Sequence, residues 1–112
     1  MSDDTMFQIQ RDYEVPLLRL LYKLPGGQGE ASEVCRLFEE EYGDRIPQAH
    51  RQNSRSSRDP VWVNNTHWCR NYLKERGFLD MPERGIWRIT DEGRRWVEQN
   101  PDADRLPPFR FK

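Results

Sequence analysis

The chain has 112 residues, of which 33% are charged and 35% hydrophobic, and a net charge of −1. That length supports one small domain with a single core, and the low apolar share predicts loosely held ends. No run approaches the roughly 18 apolar residues of a membrane span, and the opening Met1-Ser-Asp-Asp lacks the basic and apolar parts of a secretory signal. A cytoplasmic chain is therefore expected.

Residues 1–12 are expected to be a flexible N-terminus, with the domain proper over 13–99. Val15-Pro-Leu-Leu-Arg-Leu-Leu-Tyr-Lys-Leu24 places Pro near the first helical position and leucines on two adjoining stripes, and Pro25-Gly26-Gly27 stops it. From about Glu30 to Tyr42, Ala31, Val34, Cys35, Phe38 and Tyr42 recur on one helical face, with Gly43 placed as a C-terminal cap. Residues 43–59 then form a long polar loop carrying Arg45, His50, Arg51, Arg55 and Arg58. A loop of that length without periodicity is either functional or disordered, and its arginines suit either phosphate contacts or solvent.

Asp59 and Pro60 offer an N-cap and a first helical residue, and Gly77 a left-handed stop, which predicts a helix over 60–76. At 3.6 residues per turn, Val61, Trp62, Asn65, Trp68, Cys69, Tyr72 and Leu73 share one arc and are expected in the core. Val63, Asn64, His67, Arg70, Asn71 and Lys74 share the opposite arc and are expected to face out. Phe78-Leu79 and Ile86-Trp87-Arg88-Ile89 read as two short strands around Met81-Pro-Glu-Arg-Gly85, with Arg84 at the tip. Thr90 caps a last helix from Asp91 to about Gln99, which Asn100-Pro101 ends, and residues 100–112 form a Pro-rich tail. The expected fold is mainly α with a small β-hairpin, a winged helix-turn-helix of order α-α-α-β-β-α.

The net charge of −1 conceals a division along the chain. Residues 1–44 carry 4 basic and 10 acidic side chains, 45–90 carry 9 and 4, and 91–112 carry 5 of each, for −6, +5 and 0. Positive charge thus coincides with the third helix and the hairpin, as a phosphate-facing surface requires, although a solvated surface would also tolerate it.

Catalytic patterns are lacking: there is no Gly-rich phosphate loop, no nucleophile elbow, and only two histidines, His50 and His67. His67 and Cys69 lie about 160° apart around a helix, so no metal site is expected, nor any cofactor. Cys35 and Cys69 read as reduced core residues. Of the four tryptophans, Trp68 and Trp87 suit the core and Trp62 and Trp96 sit nearer element ends, with an aromatic pocket for a flipped base as the alternative.

Taken in order, Val15-Pro-Leu-Leu, Pro60-Val-x-Val-Asn, Trp68-x-Arg-x-Tyr-Leu-Lys74, Gly77-Phe-Leu and Arg84-Gly-Ile-Trp-Arg-Ile-Thr-x-x-Gly93 form a series. Over roughly residues 13–98 it resembles the N-terminal winged-helix domain of Mrr-type restriction proteins. In that family the domain is joined to a nuclease that cleaves modified DNA. The resemblance implies binding of double-stranded DNA, methylated or otherwise modified DNA included. Cleavage is not expected of these 112 residues and would need another domain or a partner nuclease. The expected duplex-facing set is Val63, Asn64, His67, Arg70, Asn71 and Lys74, where Asn pairs with adenine and Arg with guanine, with Arg84, Arg88, Arg55 and Arg58 toward phosphate. The alternatives are a winged helix serving protein–protein interaction and a DNA-binding subunit of a nuclease. Assembly as a homodimer is left open.

Overall fold

In a computed structural model, residues 6–53, 55 and 58–108 are described. They build a mainly helical domain with a small three-stranded antiparallel sheet. Helix α1 (Glu14–Lys23) is followed by strand β1 (Gln28–Glu30), α2 (Ala31–Tyr42), the short α3 (Gln48–Arg51), α4 (Val61–Glu75), strands β2 (Leu79–Asp80) and β3 (Ile86–Ile89), and α5 (Asp91–Gln99). Against the expected order, the structure adds β1 and α3. Helix α1 packs against α2, α4, α5 and β3, so it sits at the centre, which explains why Val15, Leu17, Leu18 and Leu21 are fully buried.

Strand β1 escaped the sequence reading because Gln28-Gly29-Glu30 has neither alternation nor β-formers. It exists through its neighbour: β3 is the middle strand, pairing Gly29 with Trp87 on one edge and Leu79 with Ile89 on the other. The two-residue period of β3 then sends Trp87 and Ile89 into the core and leaves Ile86 and Arg88 on the other face.

The element boundaries follow local chemistry. Gly26 and Gly27 both adopt positive φ and turn the chain from α1 into β1. Gly77, with φ of 84°, ends α4 as its sequence position requires. Gly43 does not behave as expected: its φ of −55° and ψ of −34° are helical, and the chain runs on into a 3-10 turn over Gly43–Arg45. Asp59 is not the cap of α4. Pro60, extended with ψ of 154°, occupies that place and offers no side-chain acceptor. Thr90 caps α5 as expected, its Oγ1 accepting from the Gly93 N–H at 3.1 Å.

The described residues of 43–59 are more structured than an unbroken loop, and residues 54, 56 and 57 of that segment lie outside the description. Ile46 is buried, Arg51 donates to a Glu39 carboxylate at 2.6 Å and to the Gly43 carbonyl at 2.8 Å, and Asn53 bridges to Pro60. One buried isoleucine in a polar stretch, with these polar ties, goes with a folded-back path, and periodicity cannot register a single residue. The same holds at both ends. Within the expected flexible N-terminus, Phe7 is 1% exposed and its N–H donates to the Arg45 carbonyl. In the tail Leu106 is buried, while Arg19 donates to the carbonyls of Asn100, Pro101 and Ala103. Residues 1–5 and 109–112 of those two segments lie outside the described residues.

Among the described residues, Glu14 is the one carboxylate drawn into the core, 3% exposed. Its Oε1 lies 3.6 Å from Arg11 Nε and accepts no hydrogen bond. Burial pushes its carboxyl above the ordinary value, against the pull of Arg76 and Arg11. A carboxyl raised in the folded state binds more protons there than in the unfolded chain. Its contribution is therefore most favourable below the unfolded pKa and is lost as pH rises through the folded one. Glu14→Gln is expected to melt above the parent protein at neutral pH and together with it at about pH 3, below the ordinary Glu pKa. Thermal melts across pH check this, and a constant difference would show that Glu14 titrates normally.

Candidate nucleic-acid interface

The buried residues of α4 are Asn65, Thr66, Cys69 and Leu73. The Thr66 hydroxyl donates to the Trp62 carbonyl at 2.8 Å and the Cys69 thiol to the Gln10 carbonyl at 3.1 Å, so small polar groups enter the core already satisfied. Asn65 reaches the Tyr13 hydroxyl, which also bonds His50 Nδ1 at 2.8 Å. This choice of buried face shifts the helix relative to the expected arc. Trp68, expected in the core, is 53% exposed, and Tyr72 is 39% exposed. Trp62 is half-buried and stacks 6.4 Å from Phe38.

Three stripes follow along the outer side of α4. On the stripe toward the β2–β3 hairpin, His67 meets the Trp87 ring edge-on, with centroids 5.1 Å apart, and its Nε2 lies 4.0 Å from Cys35 Sγ. Desolvation by these neighbours, then the Arg70 charge, holds the imidazole below its ordinary value. That direction favours the neutral imidazole, a hydrogen-bonding group, over the cation. Arg70 sits on the same stripe. Its guanidinium lies 5.8 Å over the Trp87 ring and Nη1 points at Met81 Sδ, 3.1 Å away, while the buried Nε has no partner. Arg70, expected to face a duplex, ties α4 to Trp87 of the sheet.

The His67–Arg70 stripe begins at half-buried Val63 and ends at exposed Lys74, and the middle stripe holds half-buried Asn64 and Asn71. Trp68 and Tyr72 make the third stripe, ring centroids 6.4 Å apart. At the hairpin tip Arg84 is exposed. Arg88, expected toward phosphate, grips Asp80 with two hydrogen bonds of 2.9 Å, on the sheet face turned away from Trp87. Such a bidentate pair competes with phosphate for the guanidinium. Arg55 and Arg58 are exposed just ahead of α4.

The remaining chemistry is quiet. Cys35 and Cys69 are free and buried, and burial pushes the Cys35 thiol up to about 11, which leaves it protonated and unreactive at neutral pH. Cys69 is raised as well, by the same cause. Among the described residues no group of three His, Cys, Asp or Glu side chains is placed to hold a metal ion, and no helix is long and apolar enough to cross a membrane.

Sequence reasoning missed Trp68 and Tyr72 as surface residues. The available signal was the pair Asn65-Thr66, whose short polar side chains can satisfy themselves against a helix or a neighbouring hydroxyl and so enter a core. No curated protein and no solved structure shows significant similarity to the chain. Residues 11–99 match the family model of the Mrr N-terminal domain. With that match spanning most of its length, the chain belongs to the Mrr N-terminal domain family.

Proposed function

We propose that this chain binds double-stranded DNA as a winged helix, with α4 in the major groove and the β2–β3 hairpin as the wing against the backbone. The observation that carries the reading is the polar outer arc of α4, with half-buried Asn71 and exposed Lys74, together with exposed Arg84 at the hairpin tip. The net +5 of residues 45–90 adds the field that phosphate attracts. Membership of the Mrr N-terminal domain family connects the chain with restriction systems.

In this mode Asn64, His67 and Asn71 meet base edges, while Lys74, Arg84, Arg55 and Arg58 meet phosphate. Arg70 acts indirectly, setting the angle between helix and wing through Trp87. Val63 lies near the start of α4, where an apolar side chain suits the C5-methyl of thymine or 5-methylcytosine, which makes methylated DNA the modified substrate of choice. The chain works in the cytoplasm as a binding module, and cutting belongs to another domain or a partner nuclease. A second reading, protein–protein interaction, draws on the exposed Trp68 and Tyr72.

The test is a titration of cytosine-methylated, adenine-methylated and plain duplexes at two salt concentrations. Lys74→Ala and Arg84→Ala should each weaken binding to all duplexes alike and lower the salt slope by about one. Affinity unchanged in both variants would move the function to protein–protein interaction. Val63→Ser should narrow the difference between cytosine-methylated and plain duplexes. Equal wild-type affinity for those two would remove the methyl-reading role.

A further inference from the structure

Three large hydrophobic side chains are exposed among the described residues: Ile9, Trp68 and Tyr72. Two of them share one stripe of α4, with their ring planes only 29° apart. A shallow hollow lies over this pair, lined by Trp68, Asn71, Tyr72, Lys74 and Glu75. Aromatic surface and the polar face of the candidate interface therefore meet in one depression.

We propose that this hollow seats an unstacked nucleobase of the bound DNA on the exposed face of Trp68. The site rests on the DNA-binding reading and extends it from phosphate and groove contacts to a base outside the stack. Each wall supplies one part of a nucleotide's chemistry. The indole offers a π-face, on which any base stacks. The Asn71 amide both donates and accepts, as a base edge demands. Glu75 brings a carboxylate that accepts from an exocyclic amine such as cytosine N4, and the Lys74 ammonium suits the adjoining phosphate.

A second copy of the chain fits less well. Two rings fall far short of the roughly 800 Å² per partner of a standard interface, and Lys and Glu are depleted from the centres of such contacts. Nucleic acid, by contrast, uses the rings and the charges together.

The experiment compares a duplex carrying one unpaired cytosine with the same duplex fully paired, by fluorescence anisotropy at low salt, using the full chain. Wild type is expected to bind the unpaired-base duplex about tenfold more tightly, the size of one base–aromatic stack. Trp68→Ala should erase that preference while leaving affinity for the paired duplex within about twofold, and Trp68→Phe should keep most of it. An unpaired thymine should bind more weakly than cytosine, since it offers Glu75 no amine. Because Trp68 is 53% exposed, the variants should melt with wild type, which far-UV circular dichroism verifies. Binding of both duplexes with equal affinity by wild type would overturn the base site and leave DNA binding standing. Failure to bind either duplex would overturn both. A wild-type dimer in sedimentation that Trp68→Ala dissolves, with DNA affinity unchanged, would overturn the base site in favour of a second copy.

Discussion

Replacing Trp87 by alanine is expected to cost about 3–5 kcal/mol and leave little folded protein. Trp87 is 2% exposed and lies on β3, the strand that both β1 and β2 pair with. Its ring also carries the His67 edge and the Arg70 guanidinium, so removing it opens a cavity at the joint between α4 and the sheet. Small domains hold only about 5–15 kcal/mol in all, so a loss of this size takes a large share. Chemical denaturation of Trp87→Ala beside Trp68→Ala checks the assignment with two residues of the same type. Trp68→Ala should unfold near the wild-type midpoint, because its side chain is half in water. A Trp87→Ala midpoint equal to wild type would place that indole at the surface.

These two tryptophans also mark what sequence could resolve. Trp87 sits in a short run of β-formers, Ile86-Trp87-Arg88-Ile89, whose spacing suited the core, and the structure buries it there. Trp68 sits on a helix whose buried face is made of Asn65, Thr66, Cys69 and Leu73. Hydrophobic periodicity ranks those groups below tryptophan and tyrosine, so it turned the helix toward the wrong edge. Helix α1, whose leucines are all apolar and whose end is fixed by Gly26-Gly27, needed no such arbitration. The candidate interface was legible in part for the same reason. Asn71, Lys74 and Arg84 project outward because nothing apolar competes with them, whereas the fates of Arg70 and Arg88 were decided by partners distant in sequence or across a strand, Trp87 and Asp80. Charge alone does not reveal which arginine is already engaged.

The second large effect is expected where a helix would ordinarily gain. Gly93 lies within α5, and in an exposed helix interior alanine is favoured over glycine by about 1 kcal/mol. Here a Cβ would stand 2.5 Å from the Phe78 carbonyl oxygen and 2.8 Å from Ile89 Cγ1. That carbonyl accepts the Thr90 N–H at 2.9 Å and is main chain, so it cannot swing aside as a side-chain tip would. Relief must come from moving α5 off the sheet, beneath the very turn that Thr90 caps. Overpacking costs about 1–3 kcal/mol and more against rigid neighbours, so Gly93→Ala should destabilise by about 2 kcal/mol net after the helix gain is subtracted. Gly43→Ala provides the opposite sign in the same protein. Its backbone is helical, and the nearest atom to a new Cβ is the flexible Arg51 Nη2 at 3.4 Å, so a gain of about 0.4–1 kcal/mol is expected. Paired denaturant titrations decide the matter: a Gly93→Ala protein as stable as Gly43→Ala would mean that α5 does not approach the Phe78 carbonyl so closely.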